Sequence, residues 1–149
     1  MTEAMGHRGY ISSRRINNNR VPQHVQNIVV RNYAERHGIG YLLSATEMSP
    51  ENCFIVLNDV LDNLEFVDGI IMFSLFMMPK EASARHEIYK RVLDEGKSLH
   101  AAVEGISIES EIDVERTETL FQITGILDNC LTPEEIFSGF SNPPTPENC

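Results

Sequence analysis

The chain reads as an α/β protein: a three-layer, mostly parallel sheet of four to five strands flanked by helices. Three observations point there. Apolar runs of strand length alternate with stretches of helical spacing from residue 9 to residue 127, and that alternation builds right-handed β-α-β units. The run at 69–75, GIIMFSL, is almost continuously apolar, as suits a parallel strand covered on both faces. Prolines at 22, 50 and 79 precede apolar stripes, and glycines at 38 and 96 follow them, matching the preference for Pro at helix starts and Gly past helix ends.

The elements follow in order. Residues 1–7 read as a loose leader and 8–140 as one α/β domain. Residues 9–12 form a first strand. Pro22 opens a helix, because its missing N–H and fixed φ suit the first turn. Val25, Ile28, Val29, Asn32 and Tyr33 form that helix's stripe, and Gly38 stops it. A second strand spans 39–45. Ser49 caps a second helix with Pro50 at its first position, and Phe54, Leu57, Val60, Leu61 and Leu64 are its buried face. Asp68 leads into the third strand, 69–75. Pro79 and Lys80 open a third helix carrying Ala84, Ile88, Val92 and Leu93. A fourth strand spans 98–103 and a fourth helix 113–127, where Glu109, Glu111, Asp113 and Glu115 favour the helix start through the dipole. A short helical piece at 133–137 and a Pro-rich tail at 141–149 complete the chain.

With 149 residues, 42% hydrophobic and 23% charged, the chain is long enough to bury an ordinary core. No apolar run is long enough to span a bilayer, and no basic segment followed by an apolar stretch marks a secretory signal. The expectation is a cytoplasmic protein with no membrane association. Cys53, Cys130 and Cys149 are an odd set at wide spacing, giving neither a disulfide framework nor a metal pattern. Cys53 reads as a buried structural thiol. Neither a metal nor a cofactor is expected. The formal net charge of -10 argues against nucleic acid as partner, since such binding draws on neutralising phosphates with Lys and Arg. Met72, Phe73, Phe76, Met77 and Met78 read as packing; an exposed part of this run would favour a homodimer.

Against that acidic background Arg8, Arg14, Arg15 and Arg20 account for four of the twelve Lys and Arg residues. They fall within RGYISSRRINNNR, a strand, a polar loop and a helix start. Arg side chains and free helix N–H groups together suit an anion. The loop lacks the spacings of the Walker and dinucleotide motifs. In open α/β sheets, ligands bind beyond the carboxyl ends of the strands, and four polar clusters fall at such ends. Ser12, Ser13, Arg14 and Arg15 follow the first strand, with Arg20, Gln23 and His24 leading into the helix. Ser44, Thr46 and Glu47 close the second, Ser74 the third, and His100 and Glu104 the fourth. Glu104 suits a general acid or base, or equally a structural acceptor for the N–H groups of the next loop. His100 lies on the same strand face and makes an acid/base couple conceivable. Glu47 competes for that role.

Two resemblances add to this reading. GYISS, IMFSL and SLHAAVEGISI resemble the first, third and fourth strands of the catalytic domain of serine recombinases, in order over residues 8–121. The resemblance implies the fold and a dimerising module. The family's arginines after the third strand are replaced here by Phe76, Met77, Met78, Pro79 and Lys80, so recombination is not implied. The strings RGYISSR, RVPQHVQN, YLLSATE, DGIIMFSLF and SLHAAVEG are similar to those of a small bacterial family described as sporadic carbohydrate cluster proteins. That similarity covers most of the chain. It implies a role in surface-polysaccharide or unusual-sugar biosynthesis and carries no catalytic residues. The resulting expectation is an enzyme acting on a sugar phosphate or nucleotide sugar by isomerase- or epimerase-like proton transfer. Glu104, His100 or Glu47 would move the proton, and the Arg loop would hold the anion. The alternative is a non-catalytic dimeric assembly module serving other enzymes of the cluster.

Overall fold

The computed structural model describes residues 5–13, 15–16, 20–48 and 54–129, with side chains through residue 125. Compactness divides the chain between Asp113 and Val114, and the sheet and the sites described below belong to the first unit. Five strands form one sheet: β1 (His7–Ser12), β2 (Tyr41–Glu47), β3 (Gly69–Met72), β4 (Ser98–Ala101) and β5 (Ile106–Ile108). Their order is β2-β1-β3-β4-β5. The first four are parallel, and β5 runs antiparallel to β4. The helices are α1 (Gln23–Arg36), α2 (Ile55–Asp62), α3 (Ala82–Asp94) and α4 (Glu111–Asn129). The expected α/β class, with its mostly parallel flanked sheet, is therefore observed.

β3 is the central strand, and all four of its residues are buried, as its unbroken apolar run predicts. α1 packs on β1, β2 and β3, while α2 contacts β2 and α3, and α3 contacts β4. Tyr10, Ile70, Ile71, Met72, Leu75 and Leu99 are buried to 1% exposure or less. Each such side chain contributes about 1.5–3 kcal/mol relative to exposure. No helix among the described residues is long and apolar enough to cross a membrane.

Several boundaries differ from expectation for local reasons. β1 starts at His7 rather than Gly9, because His7 pairs with Tyr41 and Gly69 on its two sides and its side chain is buried. β2 runs two residues beyond the expected end, so Thr46 and Glu47 are strand residues opposite Ile11 and Ser12. β4 ends at Ala101, and Gly105, with φ of 67°, sits in the turn that brings back β5. α4 begins two residues before the expected start, where the Asp113 carboxylate accepts from the Glu109 N–H and the Ser110 hydroxyl.

The buried face of α1 is Gln26, Val30, Tyr33 and Ala34, with Val25 at 36% and Ile28 at 62% exposure. The expected stripe is thus rotated by about one residue. Gly38 does end the helix, with φ of 64°. In α2 and the 3-10 turn after it, Leu57, Val60, Leu61 and Leu64 are buried as expected. Phe54 is the residue before the helix. α3 turns Arg85, Ile88, Tyr89 and Val92 inward. The expected helix start at Ser49 and Pro50, Cys53, Arg14, the 133–137 helix and the Pro-rich tail lie outside the described residues.

Candidate functional site

The strand order defines one place for a ligand. From β1 the chain crosses to β2 on one side, and β3 then returns to the other side of β1. At such a reversal the loops leaving the two neighbouring strands diverge and open a crevice. Here the loops after β1 and β3 flank it.

A buried amide ties the ends of the loop after β1. The fully buried Gln26 accepts from the Ser12 N–H at 3.0 Å and donates to the Ser12 carbonyl at 2.6 Å and the Val21 carbonyl at 2.8 Å. One side chain thereby joins both ends of the Ser12-to-Val21 loop to α1. Ser13 is tied to β2, with its N–H on the Glu47 carbonyl at 3.0 Å. Arg15, Arg20 and His24 are exposed and Gln23 is half-buried. The N-terminus of α1 has no acidic residue in its first turn and no capping side chain, so its polarity favours an anion.

The loop after β3 is braced by Glu104. Its carboxylate accepts from the Ser74 hydroxyl at 2.8 Å and the Leu75 N–H at 2.7 Å, while the Ser74 oxygen accepts from the Phe76 N–H. These N–H groups open a 3-10 turn, Leu75–Met77, whose donors have no partner within the turn. Arg85, 6% exposed, holds the far side of this loop by donating to the Pro79 and Lys80 carbonyls. Glu104→Ala should cost about 1–2 kcal/mol in urea unfolding, with Glu104→Gln costing less. Equal stability of all three proteins would show that the brace carries no load.

Glu47 is fully buried. It accepts from the Tyr10 hydroxyl at 3.0 Å, the Val56 N–H at 3.1 Å and the Leu57 N–H at 3.3 Å. A carboxylate at the free donors of a helix start is a strong charge-assisted cap. β2 therefore docks α2 through this one side chain and β1's Tyr10.

His100 lies among different partners. Its Nδ1 is 2.9 Å from the Tyr33 hydroxyl and its Nε2 is 2.9 Å from Ser98 Oγ. Ser98 Oγ is 3.2 Å from His7 Nε2, and His7 Nδ1 lies 3.3 Å from the Gly40 carbonyl. The carbonyl can only accept, so His7 Nδ1 carries the proton. The rest follows in one direction: Ser98 O–H donates to His7, His100 Nε2–H donates to Ser98, and Tyr33 O–H donates to His100. This order is the one that satisfies every group with both imidazoles neutral. Burial, with the neighbouring charges of His7 and His37, pushes His100 down to about 4. Burial also lowers His7, against the opposing pull of the Gly40 carbonyl, Asp68 and Glu109. Burial and then Glu109 raise the Tyr33 phenol, keeping it a donor.

The predicted residues therefore divide. Ser12, Ser13, Arg15, Arg20, Gln23 and His24 lie from the end of β1 to the start of α1, and Ser74, bonded to Glu104, belongs to the braced loop after β3; Ser12 and Ser74 are themselves buried. Glu47 is enclosed beneath α2, and Ser44 is bonded to the Tyr41 hydroxyl at 2.7 Å; Thr46 is a half-buried residue of the same edge strand. His100 makes no hydrogen bond with Glu104 among the described residues, because β4 ends between them and Glu104 turns toward β3. Arg8 leaves the arginine cluster: it is the second residue of β1, roughly 17 Å along the chain from Ser13. Sequence reasoning missed Gln26, Arg85, Tyr33, Ser98 and His7. Only Gln26 carried a signal, as a polar side chain beside an apolar stripe. No group of three or more metal-ligating side chains occurs among the described residues.

No protein family, curated protein or solved structure matches the chain.

Proposed function

We propose that the chain binds an anionic small molecule, a phosphorylated or nucleotide-linked sugar, in the crevice between the loops leaving β1 and β3. The strand reversal at β1 and β3 carries this reading. It is supported by two exposed arginines and an uncapped, acid-free start of α1 that follow β1, the strand neighbouring β3. The sugar class rests on the resemblance of RGYISSR and RVPQHVQN to the carbohydrate cluster family, and with it goes a role in polysaccharide or unusual-sugar biosynthesis. Binding without chemistry is favoured over isomerisation, because Glu47 and Glu104 both serve as acceptors for backbone N–H groups. A proton-transfer role for Glu104 is the second reading, supported by its half-exposed position beside the crevice. In either reading the protein is cytoplasmic and works as a homodimer, for which Ile28, Leu43 and Met48 supply exposed apolar area.

Calorimetric titration with glucose 1-phosphate and UDP-glucose tests the proposal, with glucose as control. Arg15→Ala combined with Arg20→Ala should weaken binding about tenfold or more, the worth of one or two charge-assisted hydrogen bonds. The unfolding midpoint should stay unchanged, since both side chains are exposed. Absence of binding by the wild type, or equal affinity of the double variant, would refute the proposal. Conversion of the sugar, followed by NMR and abolished in Glu104→Gln, would instead establish the second reading.

A further inference from the structure

Arg8 points to a second site at the opposite end of the strands. A cavity of about 350 Å³ opens between the starts of β1 and β2 and the end of α2. Arg8 and Leu42, register partners across β1 and β2, form its floor. Val60, Phe66 and Val67 supply apolar walls, and Asp59 stands on the same lining. The volume is at the small end of the range for ligand pockets, and the mixture of apolar walls with a few charged groups is typical of them.

The two charges are the informative part. Arg8 is half-buried, yet its guanidinium has no hydrogen bond or ion pair among the described residues. Asp59 lines the same cavity without an ion pair to Arg8 among the described residues; its backbone carbonyl accepts from the Asn63 amide. A partly desolvated guanidinium without an acceptor is unfavourable, and a carboxylate satisfies it in bidentate geometry. The nearby Asp59 disfavours a second negative charge on the ligand and offers an acceptor to a donor group. Phe66, 62% exposed, lies at the cavity and can cover an apolar body.

We infer that this cavity is a binding site for a small monocarboxylate with an apolar body, its carboxylate on Arg8 and any ammonium or hydroxyl group toward Asp59. The site is separate from the crevice at the carboxyl ends of β1 and β3 and stands whether or not that crevice binds a sugar derivative.

The test is amide chemical-shift mapping on the full chain, titrated separately with 4-methylpentanoate, L-leucine, leucinamide and inorganic phosphate. The two carboxylates should shift the amides of Leu42, Asn63, Phe66 and Val67, while leucinamide and phosphate leave them in place. Arg8→Met should abolish these shifts and Phe66→Ala should weaken them severalfold. The Phe66 variant, altered at an exposed position, covers the case in which the Arg8 variant does not fold. The inference is overturned if neither carboxylate shifts these amides, if leucinamide or phosphate shifts them equally, or if both variants respond like the wild type.

Discussion

Glu47→Ala is expected to lower the unfolding free energy by about 4 kcal/mol, because two buried donors and one half-buried donor lose their acceptor at once. The Tyr10 hydroxyl, the Val56 N–H and the Leu57 N–H all converge on this carboxylate. A loss of that size is a large fraction of the 5–15 kcal/mol that holds an ordinary domain together. Tyr10→Phe removes one donor and leaves the helix cap, so it should cost only about 1 kcal/mol. Urea unfolding followed by circular dichroism separates the two. A Glu47→Ala loss no larger than that of Tyr10→Phe would mean that water replaces the carboxylate at the start of α2.

Acid should destabilise the fold through the imidazoles well before most carboxylates titrate. His100 is at about 4 in the folded protein against about 6.5 in the unfolded chain. Between these values the unfolded state binds the additional proton, so stability rises with pH there. The contribution is fully present above about pH 6.5 and is lost as pH falls toward 4; the span corresponds to about 3 kcal/mol. His7 is lowered by burial as well and acts with the same sign. The Asp68 carboxyl is held below its usual value. Burial opposes this, but the Gly6 and Met5 N–H groups together with the charges of His7 and Lys97 outweigh it, so Asp68 contributes at lower pH. Urea midpoints at pH 7.5 and pH 5 should therefore differ markedly, and His100→Gln should flatten the difference. An unchanged slope in that variant would assign the acid sensitivity elsewhere.

How much of this was legible in the chain depends on the range of the interaction. GIIMFSL announces a central strand because burial on both faces leaves no polar alternation to confuse it. Gly38 and Gly96 end their helices through their own backbone freedom, a local property. The face of α1 was misread because its innermost residue is Gln26, polar in composition but consumed by three backbone bonds to the β1 loop. β5 was missed because three residues, Ile106–Ile108, carry too little period to separate a strand from a turn.

The site was legible as a position rather than as a mechanism. Strand alternation alone predicts that ligands meet the carboxyl ends, and the Arg15, Arg20 and Ser74 loops are there. For Glu104 an acceptor role toward backbone N–H groups was one of the two readings, but its donors come from the loop after β3 rather than from the next loop; the role of Glu47 was not legible, because its donors come from β1 and α2. His100 likewise looked like a partner for Glu104 four residues on. Its actual partners come from α1 and from the beginning of its own strand, and only the tertiary fold brings them together.

Gly69 has a consequence for the chain's history. It sits in register between His7 and Ser98, where a Cβ would meet the Ser98 carbonyl at 2.2 Å and His7 Cδ2 at 3.0 Å. The first of these is backbone, so no exchange of side chains at positions 7 or 98 makes room for a larger residue at 69. Among diverging copies of this chain, position 69 should therefore stay glycine whatever stands at 7 and 98. A lineage that gains any larger residue there will have forced β3 and β4 apart at Ser98, and with them the hydrogen-bonded chain from His7 to Tyr33 that runs through that serine.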